Sequence, residues 1–271
     1  MYNYLNDAIG IIFTHGEQYC MCECSRSNCD VRATICGKCY KDPDAVSQKL
    51  YEDMMDKFRN ILGADAKVVR RGKSLYIKLN GLYESELSTD YIGPSRAWAM
   101  KYIRENDKEK SKIIGDFLLI TRTIGGHVFW PAHQIDKQNT INQVRGGAGI
   151  FDRIDITLAE LKNYYETKGT NLEGKFRYYE PLYKAFQRYQ WFFELFDSFP
   201  EYISKMRLDD FLHEGEVISL LDSNIEEERR KPLQEGVNYS PVDYLIYVKN
   251  CKKLIYARTN RILDLSSSRE L

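Results

Sequence analysis

The run Gly125-Gly126-His127-Val128-Phe129-Trp130-Pro131 constrains this chain more than any other stretch. Four bulky residues between a glycine pair and a proline read as a short buried strand: the proline supplies no ladder N–H, and the glycines let the backbone approach a ligand or a partner strand closely. Alternation puts His127 and Phe129 on one face and Val128 and Trp130 on the other. His133 falls just past the strand end, where functional side chains commonly collect. The surrounding segment, from Thr121 to Tyr165, holds three arginines, two histidines and two closely spaced aspartates in a setting that otherwise reads as core. Chemistry is expected here.

Downstream, Asn142, Gln143 and Arg145 lead into Gly146-Gly147-Ala148-Gly149. This reads as a glycine-rich loop with an arginine at its mouth: backbone N–H groups face an anion, and Arg145 offers a bidentate fork for phosphate or carboxylate. It lacks the Lys-Ser/Thr ending of a P-loop and is not a dinucleotide fingerprint. Asp152-Arg153-Ile154-Asp155-Ile156-Thr157 follows, then an amphipathic helix through Leu158, Leu161 and Tyr165, with Asp155 or Thr157 as its cap. Two readings stay open for Asp152, Arg153 and Asp155. They form a buried ion-pair network that ties the loop to the sheet, or their carboxylates orient an arginine or histidine and serve as acid and base.

Six of the seven cysteines lie between Cys20 and Cys39. No signal peptide is evident, because Asp7 and Glu17 flank a short apolar run broken by Gly10, so a cytoplasmic, reducing setting is expected. Clustered cysteines there point to metal before disulfide. Cys36-Gly37-Lys38-Cys39 is a metal knuckle, and Cys24 and Cys29 are the best second pair, with Cys20, Cys22 and His15 in reserve. Four thiolates close the coordination sphere of a zinc ion, so its role would be structural. Residues 1–42 are expected to form this Cys-rich segment and residues 43–271 a single domain.

Asp42-Pro43-Asp44 marks the boundary. Asp44 caps a predicted helix to about Leu62, with Val46, Leu50, Met54 and Phe58 on its apolar face. The runs either side of Gly72 read as a β-hairpin whose exposed side is basic through Arg70, Arg71, Lys73 and Lys78. Turn signals surround Gly93-Pro94, and Ser95 caps a helix to about Glu105. Between Lys175 and Phe199, the spacing of Leu182, Phe186, Tyr189, Phe193 and Phe196 predicts a core-packed helix, interrupted by Pro200 before a second one that runs through Met206 to Leu212. A short strand follows over 216–221. Ser240-Pro241 starts a long helix with Leu245, Val248, Cys251, Ile255 and Ile262 along one side.

Lys+Arg and Asp+Glu both number 39, and this balance argues against a general nucleic-acid coat while permitting a local basic patch. No apolar run approaches the roughly 18–20 residues of a membrane helix.

The strings LSTDYIGPS, TIGGHVFWP, NTINQ-RGG and DRIDITL resemble an uncharacterised bacterial and phage-associated protein family. That family carries TIGG before a hydrophobic strand and proline, then INQARG, then DR-DLTL, then an aromatic ELF helix. The resemblance spans Leu87 to Arg261 and reaches WFFELFDSFPEYI, DDFL and YARTNRI; Val144 stands where the family has Ala. It implies motif positions, no established activity, and a toxin or phage-conflict setting. The Cys-rich segment stands outside it and reads as a targeting or partner module.

These observations predict an α+β fold, with a small antiparallel-rich sheet packed with helices behind a zinc knuckle. The leading functional expectation is a cytoplasmic enzyme acting on a phosphorylated ligand: a nucleotide, NAD or RNA. Nucleotidyl or ADP-ribosyl transfer and phosphodiester cleavage are the fitting reactions. Arg122, Asn142, Gln143, Arg145, Gly146 and Gly147 would bind the ligand; His127, His133, Asp152, Arg153 and Asp155 would carry catalysis. The rival is a non-enzymatic zinc-bearing inhibitor or adaptor, with a protein partner at the Cys-rich segment and a polar motif that only builds the fold.

Overall fold

The computed structural model describes residues 66–71, 74–79, 86–92, 120–121, 124–147, 150, 152–168, 177–222 and 241–267, with positions 59, 62, 113 and 117. The predicted zinc ligands Cys24, Cys29, Cys36 and Cys39, Arg122, the helix from Ser95, and most of the helix from Asp44 lie outside the described residues.

Four strands form one antiparallel sheet in sequence order: β1 (Lys67–Arg71), β2 (Ser74–Lys78), β3 (Glu86–Tyr91) and β4 (His127–Pro131). The basic hairpin is β1–β2, with Val69 opposite Tyr76 and Arg71 opposite Ser74. β3 has no sequence-level counterpart. Its residues ELSTDY carry too little apolar alternation to announce a strand, yet Leu87 pairs with Pro131 and Tyr91 with His127. Leu75, Ile77 and Leu87 are buried on the core face. The expected HVFW strand is present, extended by Pro131, and all five of its residues are buried. It ends the sheet, the place where a strand tolerates proline.

Helix α1 (Ile141–Arg145) takes up the residues that lead into the expected glycine-rich loop, with Gly146 as its C-cap; residues 148–149 lie outside the described residues. A reciprocal capping box, Thr140 with Gln143, makes this short helix possible, because two otherwise orphaned N–H groups at its start are satisfied. Helix α2 (Ile154–Glu166) is capped two residues before Asp155 and four before Thr157. Arg153 occupies the cap position and Asp155 lies inside the first turn. The predicted amphipathic face is exceeded, since every residue from Ile154 to Leu161 is buried.

The aromatic stretch is core, as its spacing implies, but it is not one helix. It breaks at Tyr189 into α3 (Glu180–Arg188) and α4 (Gln190–Phe193). Pro200 does not interrupt; it sits in the first turn of α5 (Phe199–Met206), where no intrahelical N–H bond is lost, behind the cap of Ser198 on Glu201. Arg207 closes α5 in the left-handed region with φ 54°. A two-stranded ribbon, β5 (Leu212–His213) with β6 (Glu216–Val217), precedes α6 (Pro241–Ser267). Along α6, Val248, Cys251 and Ile255 are fully buried, as predicted. No described helix is long and apolar enough to cross a membrane.

Tyr164, Phe186, Phe192, Phe193, Tyr202 and Trp130 form one continuous aromatic cluster, most pairs meeting edge-on or tilted at 5–6.5 Å between centroids. The glycine pair before β4 serves close approach within the protein, Gly125 to α6 and Gly126 to the Thr121 backbone. A Cβ on Gly125 would stand 2.1 Å from Thr259 Oγ1 and 2.5 Å from the Ile255 carbonyl oxygen. Gly125→Ala is therefore expected to separate α6 from β4 and cost about 2–3 kcal/mol of stability, as overpacking does. Urea denaturation of the wild type and variant, compared at equal slope, checks this; an unchanged midpoint would refute the contact.

Candidate functional site

The motif residues converge, and they do so in the interior. Arg145 has no exposed surface. Its Nε donates to Thr157 Oγ1 at 3.1 Å, one terminal nitrogen donates to Asp90 Oδ2 and the other to the Asp152 carbonyl at 3.0 Å; both reach the Tyr91 carbonyl. The guanidinium lies 5.8 Å from the centroid of Trp130. Arg145 is thus not at the mouth of an open loop. Formation of α1 turns it inward, and the N–H groups of Gly146 and Gly147 bond back to the Asn142 and Val144 carbonyls instead of facing an anion. Asn142 donates to Thr89 O, and Gln143 is committed to the capping box.

Arg153 is equally enclosed. Its Nε and a terminal nitrogen fork onto Asp155 at 3.0 and 2.7 Å, over the ring of Tyr247. Asp155 also accepts the Ile156 and Leu220 N–H groups. Thr157 joins the two arginines, accepting from Arg145 and donating to the Arg153 carbonyl at 2.7 Å. Asp152 contributes its backbone: its N–H donates to Arg145 O at 2.7 Å, with φ at 61°. Arg153 and Asp155 thus form a buried ion pair, while Asp152 is part-exposed and joins it through its backbone.

His127 is buried beside the Tyr91 ring, 4.9 Å between centroids, and its carbonyl accepts from Arg258 at 2.5 Å. Arg258 itself is fully buried and donates to the carbonyls of Met206, Arg207, Gly125 and His127. Burial pulls its guanidinium down to about 9, still protonated at neutral pH. Glu160, which sequence reasoning passed over, is a buried carboxylate that accepts the N–H groups of Arg177, Tyr178 and Tyr179 at 3.1, 2.6 and 2.8 Å. It anchors the start of α3, where backbone donors lack helical partners. A small polar recess nearby, about 30 Å³, is lined by Lys162, Glu166, Arg177 and Glu216.

His133 belongs to a different cluster, at the rim. Its Nε2 lies 2.8 Å from Glu86 Oε2. Glu86, the first residue of β3, has a side chain with no exposure, while His133 is 32% and Arg71 44% exposed. The Arg71 guanidinium grips both Glu86 oxygens, and the Tyr76 ring lies 6.1 Å from the imidazole at 28°. A buried carboxylate here holds an accessible base and an accessible cation side by side. Sequence reading placed His133 past its strand and Arg71 on a basic hairpin; it missed Glu86 because β3 itself was not legible. Among the described residues no group of three His, Cys, Asp or Glu side chains is arranged to hold a metal ion.

Hydrogen bonding from Arg71, then from His133, holds the Glu86 carboxyl below its usual 4.5 against the opposing effect of burial. A carboxyl depressed by folding stabilises the fold fully above its ordinary pKa, and that contribution is lost as pH falls through the folded value. Stability should therefore drop below about pH 4.5 in the wild type, and Glu86→Gln should flatten that part of the limb. Urea midpoints from pH 6 to pH 3 read it out; parallel limbs would disprove the role of Glu86.

No curated protein and no solved structure is significantly similar to this chain. A family match does cover residues 29–262. It extends the resemblance from Leu87 back to Cys29, so Cys29, Cys36 and Cys39 lie inside the family region and Cys24 precedes it. Part of the Cys-rich segment therefore falls within the family region. The chain belongs to DUF6994, a family of unknown function.

Proposed function

We propose that the chain is an enzyme acting on a phosphorylated ligand, and that its reaction is phosphodiester cleavage at the rim cluster of His133, Glu86 and Arg71. The observation that carries this reading is the single buried Glu86 carboxylate bonded to both accessible side chains. A carboxylate that accepts from one imidazole nitrogen fixes the tautomer, and the ring, 32% exposed, is placed to exchange a proton with a bound ligand. The adjacent guanidinium suits a phosphate oxygen and the charge that develops on it. Arg145, Arg153 and Asp155 then act at a distance, by holding the sheet and α2 in register. Nucleotidyl and ADP-ribosyl transfer call for an enclosed nucleotide pocket, and among the described residues none is seen beside this cluster.

The probe is the dinucleoside monophosphate UpA. His133→Ala is expected to lower kcat on UpA by about 10² to 10⁴, and Arg71→Ala to act chiefly on KM. Equal rates for His133→Ala and wild type would sink the assignment.

The full burial of the motif arginines favours a second reading, a binding protein whose polar motif is structural. Under it the wild type turns over neither UpA nor NAD, and protein partners are sought at the Cys-rich segment. Under either reading we propose a structural zinc on Cys24, Cys29, Cys36 and Cys39; support comes from the Cys-x-x-Cys turn and from three of these residues falling in the family region. Elemental analysis of the purified chain should find about one zinc per chain, lost in Cys36→Ser/Cys39→Ser; metal-free wild type would refute it.

A further inference from the structure

The sheet face that carries Glu86 is covered over only half its width. Directly paired residues share a face, so Lys67 with Lys78, Val69 with Tyr76, Arg71 with Ser74 and Lys78 with Glu86 all lie on this side. Over β3 and β4 the same side is closed: Trp130 and Val128 are buried, and Asp90 is taken up by Arg145. Over β1 and β2 it is open. Lys67 and Arg71 are exposed, and Tyr76 and Lys78 are part-exposed.

Three features of the open half point to one ligand chemistry. Lys67 stands directly opposite Lys78, so two cations meet on this face, and the carboxylate on the other side of Lys78, Glu86, is already bonded to Arg71 and His133. Neither lysine takes part in an ion pair within the described residues, whereas the chain as a whole is charge-neutral, so this surface is a local concentration of positive charge. Finally, the Tyr76 ring lies 28° from parallel with His133, offering a flat aromatic face between the lysines and the rim cluster. From Lys67 to Arg71 is about 13 Å at ~3.3 Å per residue, room for roughly four stacked nucleotides at ~3.4 Å each. A basic track with an aromatic platform is how proteins hold single-stranded nucleic acid. An acidic peptide would satisfy the cations but leave the ring without a stacking partner.

We propose that this half-face binds single-stranded RNA, with backbone phosphates on Lys67, Lys78 and Arg71, a base on Tyr76, and the scissile phosphodiester at His133. The proposal rests on the reading of His133 given above, and the 2′-hydroxyl completes it. The imidazole nitrogen remote from Glu86 takes the 2′-hydroxyl proton as the 2′-oxygen–phosphorus bond forms. The phosphorus–O5′ bond breaks, the leaving oxygen takes a proton from water, and the imidazolium returns its proton to solvent. The products are a 2′,3′-cyclic phosphate and a 5′-hydroxyl.

The test is fluorescence anisotropy of a labelled U12 oligonucleotide on full-length His133→Ala, which holds substrate without turnover, over a range of salt. Three phosphate contacts predict a slope of log Ka against log salt near −2, at about −0.7 per contact. Adding Lys67→Ala/Lys78→Ala should bring it to about −0.7, and adding Tyr76→Leu should weaken binding roughly tenfold at constant slope. The lysines are surface groups, so the double variant folds. The proposal is overturned if U12 does not bind, if the lysine variant keeps the full slope, or if a twelve-residue poly-glutamate or a duplex of equal length binds as tightly. UpA cleavage without these binding effects removes the track and leaves the rim-site reaction standing. Lysine-dependent U12 binding without UpA cleavage keeps the track and removes the reaction.

Discussion

A guanidinium with no access to water must have its donors satisfied by protein, and the placement of Arg145 organises everything near it. Taking that charge out of solvent costs several kcal/mol, returned only when geometry is good. Its partners come from three separate parts of the chain: Asp90 and the Tyr91 carbonyl on β3, the Asp152 carbonyl, and Thr157 on α2. The strand, the turn and the helix are therefore not independently adjustable. Removing one partner of such a pair would strand the other, a loss on the order of 3–5 kcal/mol.

The same device recurs twice. Arg153 forks onto Asp155 within the first turn of α2, and Asp155 in turn takes the Leu220 N–H from beyond β6. Arg258 donates to carbonyl oxygens drawn from the end of α5 and from the turn into β4. β4 ends the sheet, and an exposed sheet edge invites unwanted pairing; α6, lying over Gly125 and capping the His127 carbonyl through Arg258, covers its entry. Glu160 does for the start of α3 what these arginines do elsewhere. Buried charge here is the means by which distant segments are tied together, and the accessible charge is left at the sheet rim.

This division explains why the residues that looked most chemical are the least accessible. Arginine, aspartate and glycine in a dense motif carry the same signature whether they hold a ligand or hold the backbone. The glycines decide little by themselves: Gly125 makes room for α6, and Gly146 and Gly147 finish α1. His133, Arg71 and Glu86 are scattered over 62 positions' separation in a pattern no motif links, with the extremes at 71 and 133. Only the pairing of β3 between the hairpin and β4 brings them within hydrogen-bonding distance.

By itself the sequence determined the local features whose causes are local. The basic hairpin, the buried HVFW strand, the aromatic core stretch and the apolar stripe of α6 all follow from periodicity, because alternation and helical spacing report which side of an element meets the core. Tertiary structure decided what periodicity cannot encode. It made a strand of ELSTDY, on which Glu86 meets Arg71 and His133 and Asp90 meets Arg145. It turned Arg145 inward and left His133 out. The physical reason is common to both: whether a charged side chain is buried depends on partners far away in the chain, and their proximity is a property of the assembled sheet and helices.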